Sequence, residues 1–240
     1  IGRGSGQGVV VMNVDPETGE PINISTQLIG KELLVEGLSD KEKIRLDKRE
    51  DAGKEVKQTR SITVREVVSH ENGTSSLIGE IYDVVVTTSV DANGNTTTRY
   101  TYYYNELFVT RIGKDGEILS TVKMPKRYGG SLDLNVSYHA FDMNNELAIV
   151  FNDNRNNLIE IGPKGILPYT RKSKVTALTI VTIDESGNQK REGLIDYAMK
   201  PYSAYRHYFL WRDLVAFNDK MLFMTYYGKK NFGYMLATPR

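Results

Sequence analysis

LFVTRIGKDGE at 107–117 and LTIVTIDESGN at 178–188 share one pattern: an apolar strand, a turn that ends in Gly, and a second strand. VVVMNVDPETGE at 9–20 is a third copy of this Gly-turn hairpin. A hairpin centred on Asn or Asp alternates with it and reads VVSHENGTSSLIGE at 67–80, AFDMNNELAIVF at 140–151 and LVAFNDKMLFMTY at 214–226. Two hairpins repeated in this way predict the four-stranded antiparallel blade of a β-propeller.

The spacing of the repeat is nearly constant. Asn72 and Asn145 are 73 residues apart, and Asn145 and Asp219 are 74 residues apart. In chain order, each unit begins with the Gly-turn hairpin and continues with the Asn hairpin. We therefore predict an all-β, propeller-like fold with three four-stranded antiparallel blades, and a β-sandwich is the alternative architecture.

The turns and the strands between them can be placed along the chain. Gly supplies the positive φ that tight turns require, and Asn-Gly favours a type I′ hairpin. We expect mostly antiparallel strand at 60–86, 104–151 and 175–227. Hairpin turns are predicted at 72–73, 115–116, 144–145, 186–187 and 218–219. The apolar run LAIVF at 147–151 is too short for a helix and indicates a strand buried on both faces.

A propeller of roughly four to eight blades needs more than the three units found here. The sequence therefore predicts either a single propeller-like domain over residues 1–240 or the C-terminal part of a longer one. The missing blades would come from the same longer chain or from a partner.

Composition excludes several classes of protein. The chain has 240 residues, a formal net charge of +1 and no cysteine. The balanced charge predicts no nucleic-acid partner, since nucleic-acid binders usually carry a basic patch or stripe. Without cysteine there are no disulfides, thiolate nucleophiles or cysteine-ligated zinc sites. No apolar run is long enough for a transmembrane segment.

Two segments interrupt the repeat. Residues 38–58 form a polar insertion that predicts a surface helix, because Ser39 and Glu42 have the spacing of a capping box. Residues 80–105 predict a long projecting hairpin that turns at Asn93-Gly94. Tyr100, Tyr102 and Tyr104 would pack on one face of its second strand, against Val84 and Val86, or form a ligand platform.

YYYNELFVTRIGKDGEILSTVKMPKRYG at 102–129 and SYHAFDMNNELAIVFNDNRNN at 137–157 resemble uncharacterised exported β-propeller-like proteins of Bacteroidetes-type bacteria. The resemblance covers about residues 60–160, and its motifs are structural. It implies export, with the protein periplasmic, at the cell surface or secreted. It implies no known activity, and no functional residue is carried over from it.

The long connections predict the binding surface of the protein. In an up-and-down blade both tight turns lie at one end, so the segments 38–58, 88–98, 125–138, 152–176 and 192–212 would share the opposite end, here named the long-loop face. Long loops on a rigid scaffold are where binding residues concentrate. Aromatic and basic side chains there would bind a protein or a glycan: Lys126, Arg127, Tyr128, Tyr138, His139, Tyr202, Tyr205, Arg206, His207, Trp211 and Arg212. The alternative is that these aromatic side chains belong to the core.

The run FNDNRNN at 151–157 is a second candidate site. Its oxygen-bearing side chains suit calcium: Asn152, Asp153, Asn154 and Asn156. The run lacks the spacing of an EF-hand loop, and Asn also occupies left-handed turn positions. No other cofactor is predicted.

Catalytic motifs are absent, with no GxSxG, Walker A or HExxH pattern. The sequence thus predicts a non-enzymatic binding or interaction module that uses the long-loop face. The alternative is a carbohydrate-active hydrolase or lyase of propeller fold with part of its site on absent blades, for which the carboxylate pairs Asp142 and Glu146, or Asp213 and Asp219, are candidates.

Overall fold

The computed structural model describes residues 8–53, 62–130, 138–159, 161–169 and 175–196, together with the backbone of 215–217, 220–227 and 231–237. The described fold is mostly β with every strand pair antiparallel, so the all-β prediction is confirmed. The strands are β1 Gly8–Val14, β2 Pro21–Leu28, β3 Ile62–Ser69, β4 Ser75–Val90, β5 Thr96–Ile112, β6 Ile118–Met124, β7 Tyr128–Gly130, β8 His139–Met143, β9 Glu146–Asn154, β10 Thr176–Ile183, β11 Gln189–Asp196, β12 Val215–Phe217, β13 Lys220–Tyr227 and β14 Asn231–Ala237. The helices are α1 Lys31–Val35, α2 Asp40–Asp51 and a 3-10 helix at Arg155–Leu158.

The strands form sheets of consecutive neighbours. The first sheet consists of four long strands in the order β3-β4-β5-β6 and a short fifth strand, β7, which pairs with β5. The second sheet contains β8, β9, β10 and β11 in sequence, and the name four-stranded sheet refers to the four long strands of each. A hairpin of β1 and β2 and a three-stranded sheet of β12, β13 and β14 are the remaining units of the described chain.

The grouping of hairpins into sheets differs from the sequence prediction. Each four-stranded sheet begins with the Asn hairpin and ends with the Gly-turn hairpin, because β4 pairs with β5 and β9 pairs with β10. The predicted unit combined β5 and β6 with β8 and β9, which lie in different sheets. Spacing alone does not determine which hairpin begins a unit, and backbone pairing places the boundary one hairpin away.

The tight turns adopt the backbone conformations that their residues favour. Gly73, Gly116 and Gly187 have φ of 80°, 81° and 88°, and Asn144 and Asn145 have φ of 55° and 68°. Positive φ at the two consecutive residues Asn144 and Asn145 is the type I′ pattern. The type I′ prediction for Asn72-Gly73 is wrong, because only Gly73 of that pair has a positive φ. The turn predicted at 218–219 lies outside the described residues.

The core lies between the two four-stranded sheets. Ile78, Leu107 and Met124 of the first sheet pack against residues of the second that include Ile149 and Phe151. The run at 147–151 lies within β9 and is completely buried, as predicted. The sheets therefore stack face to face, and β9 is covered on both of its faces.

The tight turns of neighbouring units lie together at one end of the stack. The backbone amide of Asn72 donates to the Asn145 side chain at 2.8 Å, and Ser120 Oγ donates to the carbonyl of Glu185 at 3.1 Å. Since strand direction alternates in each sheet, the connections from β4 to β5, β6 to β8 and β9 to β10 leave at the opposite end.

Helix α2 lies at that opposite end and begins with the predicted capping box, formed by Ser39 and Glu42. The loop of residues 161–169 is attached to its N-terminal side: the Asp40 amide donates to the Pro163 carbonyl at 2.9 Å, and the Ile166 amide donates to the Gly37 carbonyl at 2.8 Å. No helix among the described residues is both long and apolar enough to cross a membrane.

The hairpin of β4 and β5 extends beyond the sheet and turns at Asp91–Asn95. Val84 and Val86 pair with Tyr102 and Tyr100, as the packing interpretation expected.

Candidate functional site

A cavity of about 500 Å³ lies where the long connections meet. Helix α2, strand β5, the β6–β7 connection and the loop of residues 161–169 each supply part of its wall. We call it the groove, and its main side chains are Glu42, Tyr103, Asn105, Arg127, Tyr128 and Tyr169. The volume is within the roughly 300–1,000 Å³ typical of small-ligand sites.

Tyrosines form one wall of the groove. The rings of Tyr128 and Tyr169 are stacked, with centroids 5.1 Å apart and an interplanar angle of 22°. Both are buried, whereas Tyr103 is only partly buried. Tyr103 lies against Gly129, since a Cβ added there would come within 2.8 Å of its ring. The Tyr103 ring therefore packs directly over the Gly129 backbone, an approach that a side chain at position 129 would prevent.

The capping box positions the charged pair of the groove. Glu42 Oε2 accepts from the Ser39 amide at 2.8 Å, and Glu42 Oε1 accepts from Arg127 Nη2 at 3.1 Å. Partial burial raises the pKa of Glu42, but the hydrogen bonds from Ser39 and the charge of Arg127 outweigh it and bring the pKa below its usual value. Glu42 is therefore an anion at neutral pH and balances the guanidinium beside it.

Asn105 adds an unsatisfied polar group to the groove. Its side chain is only 4% exposed, and its Nδ2 has no hydrogen-bond partner among the described residues. A buried amide without a partner costs about 1–3 kcal/mol. A ligand that accepted a hydrogen bond from this amide would remove the cost.

The Asn-rich run supports the groove rather than forming a loop of its own. Asn152, Asp153 and Asn154 lie in strand β9, so neither a left-handed turn nor a free calcium loop is formed there. Asn154 Nδ2 donates to the Pro168 carbonyl at 3.2 Å, and Asn157 exchanges two hydrogen bonds of 2.9 Å with the backbone of Leu167. These contacts hold the segment that carries Tyr169.

Asp153, the one carboxylate of that run, is already neutralised by the protein. Its Oδ2 accepts from Arg191 at 2.9 Å, and its Oδ1 accepts from Asn157 Nδ2 at 2.7 Å. Burial raises the pKa of Asp153, and the charge of Arg191 opposes this. No cluster of three or more His, Asp or Glu suited to a metal occurs among the described residues. Asn156 is exposed, and its amide donates to Asn154 Oδ1 at 3.1 Å.

The predicted binding residues divide between the groove and the interior. Arg127 and Tyr128 line the groove, while Lys126, Tyr128 and Tyr138 are buried and His139 is half-buried. The burial of Tyr128 and Tyr138 agrees with the alternative that these aromatic side chains belong to the core: Tyr128 lies in β7, which pairs with β5, and Tyr138 packs in the core between the two sheets. The remaining predicted residues lie outside the described part of the chain: Tyr202, Tyr205, Arg206, His207, Trp211 and Arg212.

Lys126 belongs to a buried ionic cluster. Its Nζ lies 2.6 Å from Glu80 Oε1, and Arg65 Nε lies 3.0 Å from Glu80 Oε2. Lys126 also lies over the ring of Tyr138, 5.8 Å from its centroid. Desolvation lowers the pKa of Lys126, while Glu80 opposes that change. These cations neutralise a completely buried carboxylate and are not available to a ligand.

A Ser-His-Asp arrangement spans the two sheets, and the sequence pattern did not reveal it. His70 Nδ1 hydrogen-bonds Asp142, and His70 Nε2 lies 2.8 Å from Ser76 Oγ. Arg111 donates both to His70 Nε2 and to Ser76. Ser76 is completely buried, so no substrate reaches its hydroxyl. The Arg111 guanidinium also donates to His70 Nε2, the atom that would have to accept the Ser76 proton in a catalytic triad. The arrangement is therefore a structural connection between the β3–β4 turn, β4, β5 and β8.

This connection predicts a pH-dependent stability. Desolvation, with help from Arg111, lowers the pKa of His70 despite its bond to Asp142. The unfolded chain, with a histidine pKa of about 6.5, then binds a proton more readily than the folded one. The contribution of neutral His70 to the free energy of unfolding is therefore fully present above pH ~6.5, and it is lost as the pH falls toward the lower pKa of His70 in the folded state. Urea denaturation between pH 7 and 5 should show a slope of up to about 1.4 kcal/mol per pH unit from this group.

His70→Gln should flatten that slope, whatever its effect on stability at pH 7. Burial also lowers the pKa of His139, so protonation of His139 adds a second contribution to the slope. His139→Gln is the matched control, because it removes only the His139 contribution and leaves that of His70. An unchanged slope in His70→Gln would show that His70 is as easily protonated in the folded protein as in the unfolded chain.

Comparison with known proteins gives no further identification: no family model, no curated protein and no solved structure matches this chain.

Proposed function

We propose that this chain is a non-enzymatic binding module that takes up a protein or glycan ligand on its long-loop face. The observation that carries the proposal is the groove, because segments distant in sequence converge to form one concave, tyrosine-lined surface. Concave sites with a few polar groups among aromatic side chains are the usual form of a ligand site. At the opposite end of the described sheets, the tight turns are joined to one another by hydrogen bonds. The long-loop face, where the groove lies, is therefore the preferred binding face.

We also propose that the stacked sheets are blades of a β-propeller. The hairpin of β1 and β2 lies beside β6, with Thr121 Oγ1 donating to Gln27 at 2.8 Å. Its other face exposes apolar side chains that include Val10, Met12 and Ile24. Strand β10 of the second sheet begins a Gly-turn hairpin, as β1 does, and its Val181 and Ile183 pack on the first sheet. The exposed apolar side chains of β1 would pack in the same way on a further sheet, supplied by a longer chain or by a partner.

The alternative function, a carbohydrate-active hydrolase or lyase, is less well supported. Among the described residues lining the groove, Glu42 is the one carboxylate, and it is paired with Arg127. Glycoside hydrolysis normally needs two carboxylates with different protonation states. A hydrolase would have to recruit a second acidic residue from elsewhere in the protein.

The resemblance to exported bacterial proteins supports a location in the cell envelope or outside the cell. Ligands of a surface module are commonly polymers or other proteins, and both are compatible with an open groove. Calcium at Asn152 to Asn156 remains a weaker proposal, since Asp153 already pairs with Arg191.

Blocking the groove tests the proposed function. Gly129→Phe would displace the Tyr103 ring, because an added Cβ alone comes within 2.8 Å of it. At an unchanged melting temperature, we expect it to abolish binding to a glycan array, or to a protein ligand captured by a photo-crosslinking residue that replaces Pro168 at the groove edge. Gly162→Phe is the matched control, because nothing lies within 4 Å of the Cβ added there. Equal loss in both variants, or release of sugar products by the wild-type protein, would contradict a non-enzymatic groove.

A further inference from the structure

We propose that the ligand of the groove is an uncharged carbohydrate, recognised by ring stacking on Tyr103 and by hydrogen bonds to Asn105, Arg127 and Glu42. This inference rests on the proposed function and narrows the ligand from two classes to one. Three properties of the groove carry it: an accessible aromatic ring, a charge-neutral polar pair and an unsatisfied amide.

The aromatic surface is the first property. Tyr128 and Tyr169 are stacked on each other and buried, so Tyr103 is the groove tyrosine that keeps some exposure. One part of the Tyr103 ring rests on the Gly129 backbone, so the partial exposure belongs to the rest of the ring, and that part is the surface on which a flat ligand ring would stack. The C–H face of a pyranose is apolar and flat, and aromatic rings are the usual partners of such faces.

The charged pair is the second property. Arg127 and Glu42 lie 3.1 Å apart, and the capping box fixes the carboxylate. A phosphate or another strong anion would have to approach Glu42, and a cation would have to approach Arg127. Sugar hydroxyls suit both groups, because one hydroxyl can donate to the carboxylate while another accepts from the guanidinium.

Asn105 is the third property. Its buried Nδ2 lacks a partner among the described residues and belongs to the wall of the groove. Tyr103 and Asn105 are two positions apart on strand β5, so their side chains lie on the same face of the sheet, and a ligand stacked on Tyr103 would lie near this donor. The unsatisfied donor is then a cost of the free protein that the ligand removes.

The experiment is calorimetric titration with neutral trisaccharides: cellotriose, maltotriose, mannotriose, xylotriose and chitotriose. Trigalacturonic acid is the charged comparison. We expect at least one neutral trisaccharide to bind, the charged one to bind more weakly, and Tyr103→Ala to weaken binding at least about tenfold. Tyr100→Ala is the matched control, since Tyr100 lies on the same strand, is 50% exposed and is outside the groove; it should leave binding unchanged.

Asn105→Leu separates recognition from folding. It removes the unsatisfied donor at similar volume, so we expect about threefold or more weaker sugar binding with no fall in the melting temperature. A lower melting temperature with unchanged sugar binding would assign Asn105 to structure and overturn its place in the inference.

The outcomes also separate this inference from the proposed function. If no neutral trisaccharide binds but a protein ligand is lost in Gly129→Phe, the carbohydrate inference is overturned and the binding module stands. If trigalacturonic acid binds best, the neutral-ligand argument is overturned. If neither sugars nor proteins depend on the groove, both proposals fail.

Discussion

Replacing Glu80 by alanine is expected to lower the free energy of unfolding by about 3–5 kcal/mol. Glu80 is completely buried between Lys126, at 2.6 Å, and Arg65, at 3.0 Å. Without the carboxylate, two cations remain beside the ring of Tyr104, from whose centroid each lies 5.9 Å. The buried ammonium of Lys126 would lose its counter-charge without gaining water. Urea denaturation of Glu80→Ala at pH 7 measures the loss.

An exposed ion pair provides the control for this experiment. Lys31 pairs with Glu50 on α2, and both side chains are well exposed to solvent. Glu50→Ala should cost less than about 1 kcal/mol, since water and salt screen such pairs. A loss in Glu80→Ala no larger than that in Glu50→Ala would mean that water reaches Lys126 in the folded protein.

Truncating Phe151 to alanine is expected to cost about 3–5 kcal/mol. Its side chain is completely buried between the two four-stranded sheets, and the Arg191 guanidinium lies 5.6 Å from its ring centroid. The substitution removes a large apolar surface and leaves a cavity that β9, covered on both faces, cannot easily close. Thermal and urea unfolding should both report the loss.

Val86→Ala is the control for an apolar truncation outside the core. Val86 is 53% exposed on the projecting hairpin, so its truncation should change stability by no more than about 0.5 kcal/mol. A small effect in Phe151→Ala would contradict the face-to-face stacking of the two sheets.

Local features of the chain could be predicted because neighbouring residues determine them. The turns at Gly73, Gly116, Gly187 and Asn144-Asn145 depend on which residues tolerate positive φ. The capping box of α2 depends on Ser39 and Glu42, three positions apart. Alternation of such turns with short apolar runs was sufficient to predict antiparallel strands and the end of the molecule at which the long connections lie.

Features that depend on contacts between distant residues could not be predicted. The residues around the groove were only partly found: Arg127 and Tyr128 came from the loop composition, whereas Tyr103, Asn105 and Tyr169 have no local signal. His70 and Asp142 are 72 positions apart, and no short motif relates them. The ion pair of Asp153 with Arg191, which is 38 positions away, likewise has no signal in the sequence around Asp153.

The sequence by itself therefore determined the strands, the tight turns and the capped helix, because backbone sterics and short-range hydrogen bonds act over a few residues. Only the tertiary structure decided which hairpins share a sheet, and it assigned Lys126 to Glu80 and Asp153 to Arg191. It also brought α2, β5, β7 and the loop of residues 161–169 around one groove. The physical reason is that pairing, desolvation and charge compensation depend on distance in space, which the order of residues along this chain does not contain.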